Sequence, residues 1–250
     1  MRVAIMQPYF FPYIGYWQLF FNCDKWVFFD SVQYNKRSWM NRNRVLHSDP
    51  DKEFQYINVP IRKHIKGTLI KDVIINHEEK WKEKLLGQLT VYKRLRAPHY
   101  QCVLELIENI LEGDNKHFTS LSALIADGIC EYLGEKVAYE FSSNIDIDTN
   151  MISEPDDWAL CISETLGATE YINPYGGAEI FNIEKYINRG IDIKFLRPNL
   201  SEYKQSQRKF TPGLSLIDVL MFNSVDSTRE LLKNDFRLLS KTEALIEKHG

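Results

Sequence analysis

Between residues 7 and 44 the chain gathers two sets of side chains whose types suit binding and group transfer. The first set is Gln7, Tyr9, Tyr13, Gly15 and Tyr16. Amide and phenol groups hydrogen-bond a base, a sugar or an amide, and Pro8 and Pro12 stiffen the turn that carries them. Gly15 has two readings: close approach of a phosphate to a helix N-terminus, or tight packing of that helix on a strand. The second set is Asp30, Gln33, Tyr34, Lys36, Arg37, Trp39, Asn41, Arg42 and Arg44. Guanidinium forks match phosphate oxygens, so Lys36, Arg42 and Arg44 are candidates to hold phosphate and stabilise developing negative charge. Gln33, Tyr34, Trp39 and Asn41 are candidates to read a sugar or a base, and a solvated basic loop is the plain alternative. Asp30 either positions an attacking amine, holds Mg2+ indirectly through phosphates, or caps the loop and pairs with Arg42.

These groups need two neighbouring strand exits to bring them together. Residues 3–6 and 26–29 are apolar runs of strand length, and residues 14–21 between them fit an amphipathic helix. The simplest assembly is a βαβ unit with parallel strands, whose ligand crevice would hold residues 7–16 and 30–44. Residues 55–60 and 68–75 resemble strands around a basic turn at residues 62–67, as a hairpin or as separate edge strands. Apolar spacing predicts helices over residues 77–94, 100–111 and 117–133. A βα rhythm returns with strands at residues 136–141, 170–173 and 191–196, helices at residues 156–166 and 178–189, and closing helices at residues 214–222, 228–239 and 241–249. Ser142 and Ser143 follow the first of these strands and place short polar groups at the same crevice. Asn173 and Gly176 lie in a strand-to-helix turn whose amides complete a nucleotide or sugar pocket, although turn chemistry alone also explains the glycines. Residues 203–209 read as a basic lid or a surface loop, and Ser215 with Asp218 as a helix N-cap and a first-turn acid. The whole predicts an α/β, Rossmann-like (HUP-like) fold, a mainly parallel sheet flanked by helices, as one domain over residues 1–250 with a helical insertion at residues 77–134.

A net charge of -3 argues against general attraction to nucleic acid. The four cysteines are dispersed without ligand spacing and read as reduced thiols; His64, His77, His99 and His117 form no zinc pattern, so no metal site is predicted. No apolar stretch is long enough to span a bilayer and no signal-peptide pattern is present, which places the chain in the cytoplasm without membrane insertion. Oligomeric state is not legible.

Three blocks carry a family resemblance. They are residues 5–16 (IMQPYFFPYIGY) with 30–34 and 38–44; residues 167–173; and residues 210–218 (FTPGLSLID). Here the chain resembles the WbqC-like family, bacterial proteins associated with genes for O-antigen and other surface polysaccharides. The resemblance implies acyl transfer, glycyl or other aminoacyl, to form an amide on a nucleotide-linked amino sugar. Its partners would be that sugar and a small amino acid or its activated form. A second resemblance is to nucleotidyl-transferase superfamily enzymes such as pantothenate synthetase, which carry H-x-G-H after their first strand and activate a carboxylate with ATP. Tyr13-Ile14-Gly15-Tyr16 stands at that place, with tyrosines for both histidines. It implies ATP and Mg2+ as cofactors, with Gln7, Tyr13, Gly15 and Tyr16 around the nucleotide. A non-catalytic sugar-nucleotide or glycan-binding protein of a polysaccharide pathway is the alternative.

Overall fold

The computed structural model describes residues 1–113 and 115–249. β1 (Arg2–Met6), α1 (Ile14–Phe21) and β2 (Lys25–Phe28) form the expected βαβ unit, with Ala4 beside Trp26 and Met6 beside Phe28 in a parallel ladder. Period-two alternation sends Val3 and Ile5 to one face of the sheet and Ala4 to the other. α1 is buried over seven residues, Ile14 to Phe20, because it is covered on all sides. Its Tyr16 and Phe20 rings pack edge-on against Trp26 at 4.9 and 5.1 Å.

Four more strands complete the main sheet: β5 (Ala138–Phe141), β6 (Glu170–Pro174), β7 (Asp192–Pro198) and β8 (Phe236–Leu239). The spatial order is β5-β2-β1-β6-β7-β8, parallel throughout except for β8, which runs antiparallel to β7. Numbered by appearance in this sheet, the strands run 3-2-1-4-5-6, the doubly wound order in which the chain's path reverses between the first and fourth strands, here β1 and β6. On one face Val3, Ile5, Val27, Tyr171 and Phe195 join side chains of α5 (Asp157–Thr165), α6 (Ile183–Ile187) and α9 (Lys241–His249). On the other, Ala4, Trp26, Phe28, Ile172 and Leu196 share a core with α1, α7 (Leu216–Phe222) and α8 (Val225–Asn234). That second core continues without interruption into α2 (Trp81–Arg94), α3 (Tyr100–Ile110), α4 (Phe118–Leu133) and a separate two-stranded sheet.

The two-stranded sheet departs from the sequence expectation. β3 (Arg42–Leu46) is a strand, not part of the loop, and it pairs antiparallel with β4 (Phe54–Asn58) so that Arg44 faces Tyr56. Residues 68–75 are not a strand: they form a single 3-10 turn at Ile70–Asp72 and isolated bridges from Leu69, Ile74 and Ile75 to three different partners. The helix expected over residues 178–189 breaks at Phe181 and Asn182, where the Asn182 side chain accepts from Glu184 N and restarts it as α6. The helix expected over residues 228–239 stops at Asn234, and its last residues become β8.

Candidate functional site

A pocket of about 480 Å³ opens where the strand order reverses. Met6 and Gln7 reach it from the end of β1, Asn173 and Gly176 from the end of β6, and Phe29 and Trp158 wall it from the β2 exit and α5. Phe29 and Trp158 meet edge-to-face at 5.7 Å, giving the pocket a firm aromatic side. The Asn173 side chain accepts from the Tyr171 hydroxyl (2.9 Å) and donates to Pro174 O (2.9 Å). Gly177 is needed for that placement, since a Cβ there would lie 2.5 Å from Asn173 Nδ2. At Gly176 a Cβ would meet nothing within 4 Å, so the turn stays open to a ligand. Pockets at such reversals are where open α/β sheets bind ligands, and an aromatic wall together with amide groups fits a planar or ring-shaped polar molecule.

The tyrosines of the first turn do not line this pocket; they pack into the core on the α1 face of the sheet. Tyr16 donates its hydroxyl to Gln7 O (3.1 Å) and stacks on Tyr9 at 5.6 Å. Tyr13 precedes α1 in extended conformation, and its ring lies over Gly15: a Cβ on Gly15 would stand 2.6 Å from the ring. The packing reading of Gly15 therefore describes the structure, with the phenol of Tyr13 filling the approach to the helix start. Burial first, then the neighbouring Tyr175 and Tyr9 phenols, push Tyr13 up to about 12, so it is a neutral hydrogen-bonding group. Phe11, buried in this turn, has φ 39°, a left-handed conformation that costs a non-glycine residue ~1 kcal/mol or more. Partners fix the strained turn in place: Ser215 donates its hydroxyl to Phe11 O (2.7 Å), and Leu216 N donates to Pro12 O (2.9 Å).

Asp30 is buried at the β2 exit and clamps it to the β5 exit. It accepts from the Ser142 hydroxyl (3.0 Å), Ser143 N (2.9 Å) and the Ser143 hydroxyl (2.9 Å). Ser142 Oγ in turn accepts from Asp30 N and Ser31 N. Among the described residues no ion pair joins Asp30 to Arg42, and the carboxylate caps the Ser142–Ser143 turn in place of its own loop. Asn41 is likewise occupied, donating to Val59 O (2.8 Å).

The cations do not line the pocket at the strand reversal. Arg42 and Arg44 project from the outer face of β3 into an aromatic ladder. Arg42 lies 5.3 Å from the Trp39 ring and 5.7 Å from that of Tyr56; Arg44 lies 5.5 Å from Trp39 and 4.8 Å from Phe54. Arg44 also donates to Gly213 O (3.0 Å). Lys36, with Gln33 and Tyr34, belongs to a separate hollow shared with residues 64–66. The sequence's one expected crevice is thus three neighbourhoods. Gln7, Asn173 and Gly176 hold the pocket; Trp39, Arg42 and Arg44 form the ladder; Gln33, Tyr34 and Lys36 line the hollow; Tyr9, Tyr13 and Tyr16 pack into the core on the α1 face and line none of the three.

Asp218 is the group that sequence reasoning most undervalued. It is fully buried, accepting from Tyr92 (2.7 Å), Tyr203 (2.6 Å) and Gln205 Nε2 (2.6 Å), and no cation pairs with it among the described residues. Burial raises its carboxyl to about 6, against the pull of those three donors. Through Tyr203 and Gln205 it pins a strap, residues 199–215, that also bonds to Arg44 O through Ser215 N and to His47 O through Arg208. The strap is therefore anchored rather than free. Trp158 is a pocket residue that the sequence does not single out; its signal is position, at the start of a helix.

Among the described residues no group of three or more His, Cys, Asp and Glu is placed to hold a metal ion, and no helix is long and apolar enough to cross a membrane. No solved structure matches the chain. It is 26% identical over 227 residues, 89% of this chain and 93% of the relative, to a protein of Mycobacterium tuberculosis described as "Uncharacterized protein Rv1507c". The family model described as "WbqC-like protein family" matches residues 7–230, which takes in the ladder, the hollow, the strap and all of the pocket lining but Ile5 and Met6. The chain belongs to the WbqC-like protein family.

Proposed function

We propose that this protein transfers an acyl group, glycyl or another aminoacyl, to the amine of a nucleotide-linked amino sugar in surface polysaccharide (O-antigen) biosynthesis. The observation that carries this reading is the pocket between the β1 and β6 exits, lined by Trp158, Phe29, Gln7 and Asn173. In it the sugar ring lies against the aromatic wall, and the side-chain amides of Gln7 and Asn173 orient its polar groups. Amide formation joins the sugar nitrogen to the acyl carbonyl carbon, breaks that carbon's bond to the activating group, which leaves, and releases one amine proton to solvent. Where ATP activates the carboxylate on the protein, that group is AMP, and Mg2+ enters held by the phosphates. Lys36, Arg42 and Arg44 are the cations of this reading; they lie outside the pocket, so their role is to hold phosphate away from the reacting amide. Asp30 already accepts three hydrogen bonds, so it acts by holding the Ser143 turn in place and not by contacting the amine.

One observation favours a second reading, a non-catalytic sugar-nucleotide or glycan-binding protein. The pocket lining contains no carboxylate, histidine, lysine or cysteine to move a proton. The test incubates purified protein with ATP, Mg2+, a panel of amino acids and a dTDP-amino sugar. Transfer predicts AMP or phosphate release together with an aminoacyl mass increase on the sugar. Saturable sugar-nucleotide binding without any mass increase across the panel favours the second reading, and no binding at all overturns both.

A further inference from the structure

Two basic turns distant in sequence, residues 35–37 and 62–67, are held side by side by the backbone. Tyr34 N donates to Thr68 O (2.9 Å), Ile70 N to Val32 O (2.9 Å) and Lys71 N to Asp30 O (3.0 Å), with Gln33 bridged to Leu69. Between the turns lies a hollow of about 530 Å³ whose charged lining is Lys36, Arg37 and Lys66, joined by His64 and the amides of Gln33 and Asn35. No carboxylate lines it. Elsewhere this net-acidic chain neutralises many of its cations in ion pairs, as at Lys185 with Asp156 and Asp157 or Lys233 with Glu135. Among the described residues none of Lys36, Arg37 and Lys66 has a carboxylate within ion-pair distance.

Gathering like charges raises the free energy of the fold unless an anion joins them, and a concave arrangement focuses the field on whatever enters. The walls are ordered: Tyr34 meets the His64 ring edge-on at 5.0 Å, and Arg42, which donates to Arg37 O (3.4 Å), adds its charge beside the Tyr34 phenol. The hollow shares no lining residue with the pocket between β1 and β6.

We propose that this hollow binds a diphosphate group, as carried by a nucleoside diphosphate or a prenyl diphosphate. A guanidinium fork takes one phosphate in a bidentate pair and the two ammonium groups take the other oxygens, which matches the charge of a diphosphate better than that of a single phosphate. The proposal names the anionic part of a substrate for the transfer reading, and rests on that reading only for which molecule supplies it.

The test is calorimetric titration of the intact chain with inorganic pyrophosphate, thymidine diphosphate, farnesyl diphosphate and sulfate, repeated on the triple variant Lys36→Ala, Arg37→Ala, Lys66→Ala and on Trp158→Ala. All three cations are exposed and mutually repulsive, so the triple variant loses no melting temperature. Pyrophosphate is expected to bind at one site, more tightly than sulfate, and at least ~10-fold more weakly to the triple variant. Trp158→Ala leaves pyrophosphate affinity unchanged, because Trp158 lines the other pocket; absence of acyl transfer by the wild type with pyrophosphate binding intact would count against the transfer reading alone. Tighter binding of thymidine diphosphate than of farnesyl diphosphate assigns the group to a nucleotide, and the reverse to a lipid. Pyrophosphate binding no better than sulfate, or equal in the wild type and the triple variant, overturns the proposal.

Discussion

Asp218 is buried without a cation, and that makes the stability of the protein depend on pH in an unusual direction. Its carboxyl stands at about 6 in the fold against 3.8 in the absence of perturbation. Each pKa unit is worth ~1.36 kcal/mol, so holding the ionised group inside costs ~3 kcal/mol at neutral pH. The folded chain holds the Asp218 proton more tightly than the unfolded chain does. This group's contribution therefore rises as pH falls through about 6, and the gain is complete only below 3.8. Between about pH 7.5 and about pH 5 the linkage relation gives a gain of ~1.4 kcal/mol, or ~3–6 °C in melting temperature for a chain of this size. Asp218→Asn keeps the shape and removes the ionisation. The assay is urea unfolding of wild type and variant at both pH values; the other carboxylates are common to both proteins, so the difference in stability between them isolates Asp218. Wild type should gain on the variant by the stated amount at the lower pH. A difference that stays level, or moves the other way, would refute the assignment of a buried, uncompensated carboxylate.

Three further outcomes are expected. Removing the aromatic wall with Trp158→Ala should weaken sugar-nucleotide binding by ~10-fold or more, about 1.4 kcal/mol, as read by titration calorimetry. Asp30→Ala strands three donors from Ser142 and Ser143 and should lower unfolding free energy by ~2–4 kcal/mol in urea, a loss that argues against a mainly chemical role for this carboxylate. Gly15→Ala places a methyl against the Tyr13 ring and should cost ~1–3 kcal/mol. Combined with Tyr13→Ala it should cost less than the sum of the two single changes, and strict additivity in that double-mutant cycle contradicts the ring-over-glycine geometry.

The β1–α1–β2 unit was legible because its apolar runs are bounded by a proline-rich turn and their lengths admit few alternatives. β3 was not, because its outward positions are Arg42 and Arg44; charge hides the alternation that Val45 and its cross-strand partners would otherwise advertise. Residues 68–75 look like a strand because they are β-branched and apolar, yet Ile70, Val73 and Ile75 are buried from an irregular segment whose bridges reach three separate partners. At the site, Asp30 and Ser142 were each visible as polar groups at strand ends, whereas their bonding follows from β2 and β5 lying side by side. Asp218 was read from its local place near a helix start. Its burial comes from Tyr92 and from a strap fixed by Gln205, contacts that local spacing does not report. The separation of Lys36 from Gln7 is of the same kind: short distance along the chain did not mean one shared cavity.

The strap also sets an order of assembly during synthesis. Phe11 and Pro12 find the final donors for their carbonyls in Ser215 and Leu216, about two hundred residues later along the chain. A nascent chain that has emerged only as far as β7 can pair β1 with β2 and β6, but it holds its strained opening turn without those donors. Completion of this turn is thereby deferred until the strap and the start of α7 have been made.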